Sequence, residues 1–488
     1  MMDRRFFYGT FSTAMMLAAA AIFVFVNLLA GEFNFSQDLT AEQIFSLSDQ
    51  SRDFLAELDD NITITFVAHV GREHEMFLGS IIDGLLEEYD AASPRIRTER
   101  RDPLLNPAVI HHFAAESGVP GGIIELNTVV VESGTEIRVI LPHEMLERPP
   151  GVGINVEREI TRAIQHVTQG TAGVIYYVIG SGEPTLPQEF LAFLQGENFT
   201  LREINLLTHD VPPDADILFI PMPARDWTEI KAGRIRDFLA AEGNAFFALD
   251  HMHEPMPNLA AVLDAYGLAL TGRFVHESDP QNVLDLRMLG MPIFILPVPV
   301  PHEITQTLLA HDFVNVLPIF PAEMQIQPVR RTTLTIEPLW TTSHNARTYI
   351  FDPDTQEMLR APNEPNSPNA PNEAGAPPFP LAVAVTDRIF ADGTAYYTRI
   401  IVAANLEFID PLYAANFGEG NWHFVLNSLR QMLNEPPAVW IPSRVPPGYA
   451  PVLIDDAGAN LIGIVAMGGV PLVCIAFGMF VWLKRRFG

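Results

Sequence analysis

The chain has 488 residues, 48% of them hydrophobic, and its 59 acidic side chains against 30 lysines and arginines give a net charge of −29. So acidic a chain is a poor partner for nucleic acid or for an anionic leaflet. Its only cysteine is Cys474, which excludes disulfides, cysteine-rich zinc sites, CxxC redox pairs and a soluble cysteine nucleophile.

In chain order, the first feature is an uncharged run over residues 6–31, preceded by Arg4 and Arg5. A matching run covers 457–483 and is followed by Lys484, Arg485 and Arg486. Each is long enough to cross a bilayer core of about 30 Å. The flanking positive charges predict two spans in the inner membrane with both termini cytoplasmic, leaving the acidic middle of the chain extracytoplasmic. A cleaved signal peptide is the rival reading of the first run, but its apolar core is longer than such peptides have.

Between the runs, Ser48 opens a helix whose apolar face is Phe54, Leu55 and Leu58. A strand is predicted over 62–68, a helix over 77–89, a strand over 96–101 and a helix over 107–117. A hairpin across Ser133-Gly134 and a helix over 156–167 follow. The order β-α-β-α-β-β-α over 38–170 is that of a thioredoxin-like α/β domain without redox cysteines.

A second α/β domain is predicted over 171–435. Apolar runs at 174–179, 217–220 and 245–249 have the character of strands buried on both faces. They alternate with helices over 187–196, 230–241 and 258–266, which implies a parallel sheet. The stretch with Pro292, Pro297, Pro299 and Pro301 reads as irregular, apart from a short helix over 303–310. Residues 360–380, rich in proline and asparagine, read as a disordered loop. Strands over 381–385 and 399–403 and a helix over 422–433 complete this domain, and residues 436–456 form a proline-rich stalk.

Two polar segments follow buried strands at one predicted sheet edge, where open parallel sheets bind ligands. They are Gly180-Ser181-Gly182-Glu183 and Asp250-His251-Met252-His253. Gly180, Gly182, Glu183 and Asp250 are therefore the candidate ligand-binding residues, with the carboxylates accepting hydrogen bonds from a polar ligand. A metal site from Asp250, His251 and His253 is conceivable, but the spacing is not diagnostic. His111 and His112 are adjacent on a helix and splay apart. Ser181 lacks a Gly-x-Ser-x-Gly frame, since residue 179 is Ile179, and no P-loop occurs. No cofactor, no metal and no catalysis are expected.

Several segments in order resemble one family. They are Asp38-Leu39-Thr40, Phe45-Ser46-Leu47-Ser48, Leu85-Leu86-Glu87-Glu88-Tyr89, Arg101-Asp102-Pro103 and the helix Glu157-Arg158-Glu159-Ile160-Thr161-Arg162-Ala163-Ile164. Then come Gly180-Ser181-Gly182-Glu183, Ile204-Asn205-Leu206, Phe379-Pro380-Leu381-Ala382-Val383, Arg399-Ile400-Ile401-Val402 and Gly420-Asn421. Together with the terminal runs, these segments resemble the Gld-type (gliding-motility-associated) auxiliary subunits of ABC transporters. A late Gly-Asp-Ser-Asp-Phe of that family is here Ala404-Asn405-Leu406-Glu407-Phe408. The resemblance implies a membrane-anchored, non-catalytic subunit working with ABC permease and ATPase subunits. It also implies a second domain similar to class I glutamine amidotransferases and to a module of intraflagellar transport proteins, for which carbohydrate binding has been proposed. The alternatives are a scaffold that braces the permease, or an envelope-polymer hydrolase.

Overall fold

The structure is a computed structural model that describes residues 22, 40, 43–69, 77–116, 124–146, 153–170, 172–250, 255–289, 293–311, 313–318, 320–352, 357–360, 377–391, 394–435, 441 and 443–444. The fold is mixed α/β with several sheets. Two compact units are present: Met1–Leu47, Met145–Asn155 and Ser443–Gly488 in one, Ser48–Glu144 and Val156–Pro442 in the other. In the first, Ile154 bridges to both Leu146 and Arg444, and Arg444 Nη1 donates to Ser46 O at 2.6 Å.

The expected fold class carried flanking transmembrane helices, and the expected localisation was a two-span inner-membrane protein; both are corrected here. Among the described residues no helix is long and apolar enough to cross a membrane. The longest, Phe77–Ala92, has 16 residues and carries Asp83, Glu87, Glu88 and Asp90. At about 1.5 Å per residue it falls short of a hydrocarbon core of about 30 Å, and its charges could not enter one. The runs at 6–31 and 457–483 lie outside the described residues, apart from Ile22.

The larger unit opens with α1 (Asp49–Ala56), β1 (Ile62–Val67), α2 (Phe77–Ala92), β2 (Ile96–Arg101), α3 (Pro107–Glu116), β3 (Thr128–Ser133), β4 (Glu136–Ile140) and α4 (Val156–Gln169). The strands form a sheet of order β2-β1-β3-β4, with β1 and β2 parallel and the other pairs antiparallel. Ser48 caps α1 by accepting from Ser51 N. Glu157 of α4 reinforces that cap. Its buried Oε1 accepts from Ser48 N and Ser48 Oγ at 2.6 Å and from Ser51 Oγ at 2.7 Å. Tyr89 of α2 donates to Glu157 O at 2.9 Å and lies 2.7 Å from Thr161 Oγ1. Sequence segments more than a hundred residues apart thus meet in one buried polar knot.

The second part of this unit is built on an eight-stranded sheet of order β12-β15-β18-β19-β8-β7-β5-β6. Its strands and helices run β5 (Gly173–Ile179), α5 (Gln188–Gly196), β6 (Phe199–Asn205), β7 (Ile217–Pro221), α6 (Glu229–Ala240), β8 (Asn244–Ala248), α7 (Pro257–Asp264), β9 (Leu268–His276), β10 (Val283–Asp285), β11 (Ile293–Ile295), β12 (Val298–Pro299), α8 (Glu303–Ala310), β13 (Leu317–Pro318), β14 (Ala322–Ile326), β15 (Leu334–Thr341), β16 (Arg347–Asp352), β17 (Glu357–Arg360), β18 (Pro380–Ala391), β19 (Thr394–Ala403), α9 (Pro411–Phe417) and α10 (Gly420–Met432). Strands β6, β5, β7, β8 and β19 are parallel, and β18, β15 and β12 continue the sheet antiparallel.

Strand residues alternate between two cores. Ile175, Ile217, Phe219, Phe246 and Ile401 pack with Phe190, Leu194, Leu308 and Phe424 of α5, α8 and α10 on one face. Val178, Leu218, Ile220, Phe247 and Val402 pack with Ile235, Leu239, Leu259 and Leu263 of α6 and α7 on the other. Each fully buried side chain of this size contributes about 1.5–3 kcal/mol, which explains why the strands are apolar throughout. The stretch expected to be irregular supplies β11 and β12, which pair with β10 and β13 and with β15 respectively, and a further antiparallel sheet of order β14-β9-β16-β17 is formed by flanking segments.

A chain of ion pairs ties α4 to the larger sheet's helices. Arg158 Nη1 lies 3.3 Å from Glu419 Oε2, Arg162 pairs with Glu159 and Glu197, and Arg430 Nη2 lies 3.5 Å from Glu197 Oε2. The helix singled out by the family resemblance thus turns Glu157 and Thr161 to one neighbour and its arginines to another.

Candidate functional site

The carboxyl edge of the parallel strands holds the candidate residues. From β5 the chain moves to β6 on one side and then to β7 on the other, so the crevice of a doubly wound sheet falls between the loops after β5 and β7. The first loop is Gly180-Ser181-Gly182-Glu183. Gly180 has φ +111°, and a Cβ there would stand 2.4 Å from Asn205 Oδ1. Gly182 has φ +83°, and its Cβ would stand 2.8 Å from the Ala224 methyl. Both glycines are exposed, and both are required by backbone conformation and by close approach of neighbouring loops. Arg225 N donates to Ser181 O at 3.2 Å, joining the loops after β5 and β7.

Glu183 turns inward. Its Oε2 accepts from Ser181 N at 2.6 Å, and its Oε1 is ion-paired with Lys231 Nζ; both side chains are fully buried. Lys231 Nζ also donates to Ile179 O and to Ser181 Oγ, each at 3.2 Å, and lies 5.7 Å from the Trp227 ring centroid. Burial pushes the Lys231 ammonium below its ordinary value, while Glu183 opposes that shift. The crevice where an α/β sheet would seat a ligand is therefore occupied by the chain's own Lys231–Glu183–Ser181 knot.

Asp250 lies two residues beyond β8, half-buried, and β7 stands between β8 and β5. His251 and His253 lie outside the described residues, and no metal-binding group of histidine, cysteine and carboxylates occurs among the described ones. Asp226, in the loop after β7, caps α7 by accepting from Asn258 N at 3.1 Å and Leu259 N at 3.2 Å. After β19, Asn405 is buried, and its Oδ1 has no hydrogen-bond partner among the described residues. The edge brings Gly180, Gly182 and Glu183 together and leaves Asp250 on a neighbouring loop.

Lys231 was missed from sequence, although a signal existed. It shares the inward stripe of α6 with Ile235 and Leu239, four and eight residues on. A lysine on an apolar stripe needs a buried partner, and the fold supplies Glu183.

A cavity of about 320 Å³ opens on the β2-β1-β3-β4 sheet beside α3 and is lined by Thr63, Thr65, Glu99, Arg101, His112 and Glu132, among others. Burial raises the Glu132 carboxyl, with His112 opposing and Glu99 assisting. His112 is thereby separated in role from His111, which does not line the cavity.

Residues 41–146 match a domain of unknown function, DUF7088. No curated protein matches the chain. Among solved structures, it is similar to the mmIFT52 N-terminal domain at 10% identity and TM-score 0.36, covering 53% of this chain and 97% of that one. It is also similar to a chain in the structure of PurLQS from Thermotoga maritima at 10% identity and TM-score 0.24, covering 53% of this chain and 99% of that one.

Proposed function

We propose that the chain is a non-catalytic auxiliary subunit that acts by binding the permease and ATPase subunits of an ABC transporter. The partner class comes from the family resemblance of its ordered sequence segments. The absence of chemistry is supported by one observation above all: the reactive groups at the sheet's carboxyl edge are consumed by one another below the surface. Ser181 and Lys231 stand 3.2 Å apart, a spacing that suits a serine–lysine nucleophile pair. Yet Ser181 is 6% exposed and the Lys231 side chain is fully buried against Glu183, so no acyl or glycosyl group can reach them. This favours an assembly role over the envelope-polymer hydrolase. Gly180, Gly182 and Asp250 form the outward rim against which a partner, or a polar ligand such as a carbohydrate, would sit.

The test is affinity purification of the full chain after mild cross-linking, with the captured proteins identified by mass spectrometry. A permease and an ATPase of one transporter recovered in stoichiometric amounts support the reading. Purification without them, together with hydrolysis of an envelope polymer by the isolated chain, overturns it.

A further inference from the structure

A further cavity is lined in part by Arg236 of α6, the helix that also carries Lys231. It encloses about 450 Å³ between the end of α6, the end of α7 and the loop from β14 to β15. Three of its ten lining residues are arginines, Arg236, Arg330 and Arg331, in a chain with only 30 basic residues in 488.

The arginines are held in place before any ligand arrives. Arg331 Nη2 donates to Ala265 O at 3.1 Å, its Nη1 lies 2.9 Å from the buried Asp387 carboxylate, and its guanidinium carbon stands 5.4 Å from the Tyr266 ring centroid. Arg330 Nη1 donates to Gln327 O at 2.9 Å. The Arg330 stem packs where Gly267, at φ +77°, has no side chain: a Cβ there would meet Arg330 Cδ at 3.2 Å. Arg236 is paired at one nitrogen with Glu229.

Charge accounting narrows the ligand. Glu229 and Asp387 each engage one edge of Arg236 and Arg331, whereas Arg330 has no carboxylate partner among the described residues. Asp264 also lines the pocket and accepts from Gln327 Nε2, so three carboxylates match the three arginines, and among the described residues only Arg330 has none in contact. One planar monoanion can pair with the Arg330 guanidinium, and a carboxylate matches its fork geometry. The remaining wall is apolar: Val329, which is 87% exposed, with Leu334, Ala265 and the Tyr266 ring. An exposed valine beside fixed arginines suits a ligand with an apolar body and a charged head.

We propose that this pocket binds a carboxylate carried on an apolar body. The proposal stands independently of the transporter reading. Two sources share that chemistry, a free aliphatic acid and the carboxyl terminus of an apolar peptide. Isothermal titration of the full chain distinguishes them, using hexanoate, the peptide acetyl-Ala-Val-Leu with a free carboxyl group, the same peptide as its amide, and inorganic phosphate. Binding of either carboxylate is expected, without binding of the amide or of phosphate. Arg330→Ala, at an exposed position, should weaken that binding about tenfold, the loss of one charge-assisted hydrogen bond. Arg330→Lys should restore part of it. Hexanoate and peptide acid binding alike indicates a free acid as sufficient ligand; peptide acid alone indicates a protein terminus. The proposal is overturned if neither carboxylate binds at about 10 mM, a weaker limit than any specific site. It is equally overturned if Arg330→Ala binds as the parent does, or if phosphate binds with the same arginine dependence.

Discussion

Replacing Glu183 with alanine separates a structural lock from a ligand-binding residue. The substitution leaves the Lys231 ammonium fully buried, with only Ile179 O and Ser181 Oγ as acceptors. Removing one partner of a buried ion pair costs about 3–5 kcal/mol, because the surviving charge stays desolvated. For a sheet domain of this size, about 2–4 °C of melting temperature accompanies each kcal/mol, so the midpoint should fall by about 6–20 °C. The double variant Glu183→Leu with Lys231→Met should recover most of that loss, since an apolar pair of similar volume is often neutral in place of a buried ion pair. Urea unfolding followed by circular dichroism gives both values, and the cycle of single and double variants isolates the coupling. A Glu183→Ala variant within about 1 kcal/mol of the parent would refute the reasoning. Glu183 would then be a surface acceptor after all, and the rim would regain a carboxylate for ligands.

Three further outcomes follow from named contacts. Gly182→Ala should cost about 1–3 kcal/mol, from the left-handed backbone and the Ala224 methyl 2.8 Å away, and denaturant midpoints measure it. Glu157→Ala removes the acceptor shared by Ser48 and Ser51 and should destabilise the unit by about 2–3 kcal/mol, with Glu157→Gln losing less; an unchanged unfolding midpoint would count against the capping knot. Acid should weaken the ion chain in two stages. Burial, against the pull of Glu419, holds the His423 ring below its ordinary 6.5, so the stabilisation from its neutral form is complete above that pH and is lost as pH falls. Against burial, which raises it, Arg158 and His423 hold Glu419 at about 2 instead of 4.5, so its stabilisation is complete above pH 4.5 and drains toward pH 2. Stability curves of the parent and of His423→Leu between pH 7 and 5 should diverge, the variant being flatter; parallel curves would show that His423 does not titrate with unfolding.

The parallel sheet was readable in the sequence because strands buried on both faces must be apolar at every position, as in Val174 to Ile179 and Phe246 to Leu249. Between Leu268 and Thr341 only the helix over 303–310 was readable, and the short strands there escaped for the opposite reason. Strands β10 to β13 are two or three residues long, too short to show alternation, and Pro299 and Pro318 sit within them. Proline lowers any strand expectation, although β12, which holds Pro299, lies at the edge of its sheet, where a missing N–H is tolerated. At the candidate site, composition and position marked Gly180, Gly182 and Glu183, and the two glycines have positive φ. What the sequence concealed was direction. An acid after a strand can point outward to a ligand or inward to a lysine, and only the packing of α6 against the sheet brings Lys231, 48 residues later, under the turn. The arginine pocket was hidden in the same way, since Arg236 and the pair Arg330-Arg331 are close only in the folded chain.

The central proposal is that this chain assembles with a transporter and performs no chemistry of its own. Quantitative mass spectrometry of the cross-linked full chain, purified from its native host, tests it most directly. Recovery of one permease and one ATPase at fixed ratio to the chain, retained in the Lys231→Met variant if that variant folds, is the predicted result. A chain that purifies free of both and turns over a substrate, with turnover abolished by Ser181→Ala at unchanged stability, would contradict it.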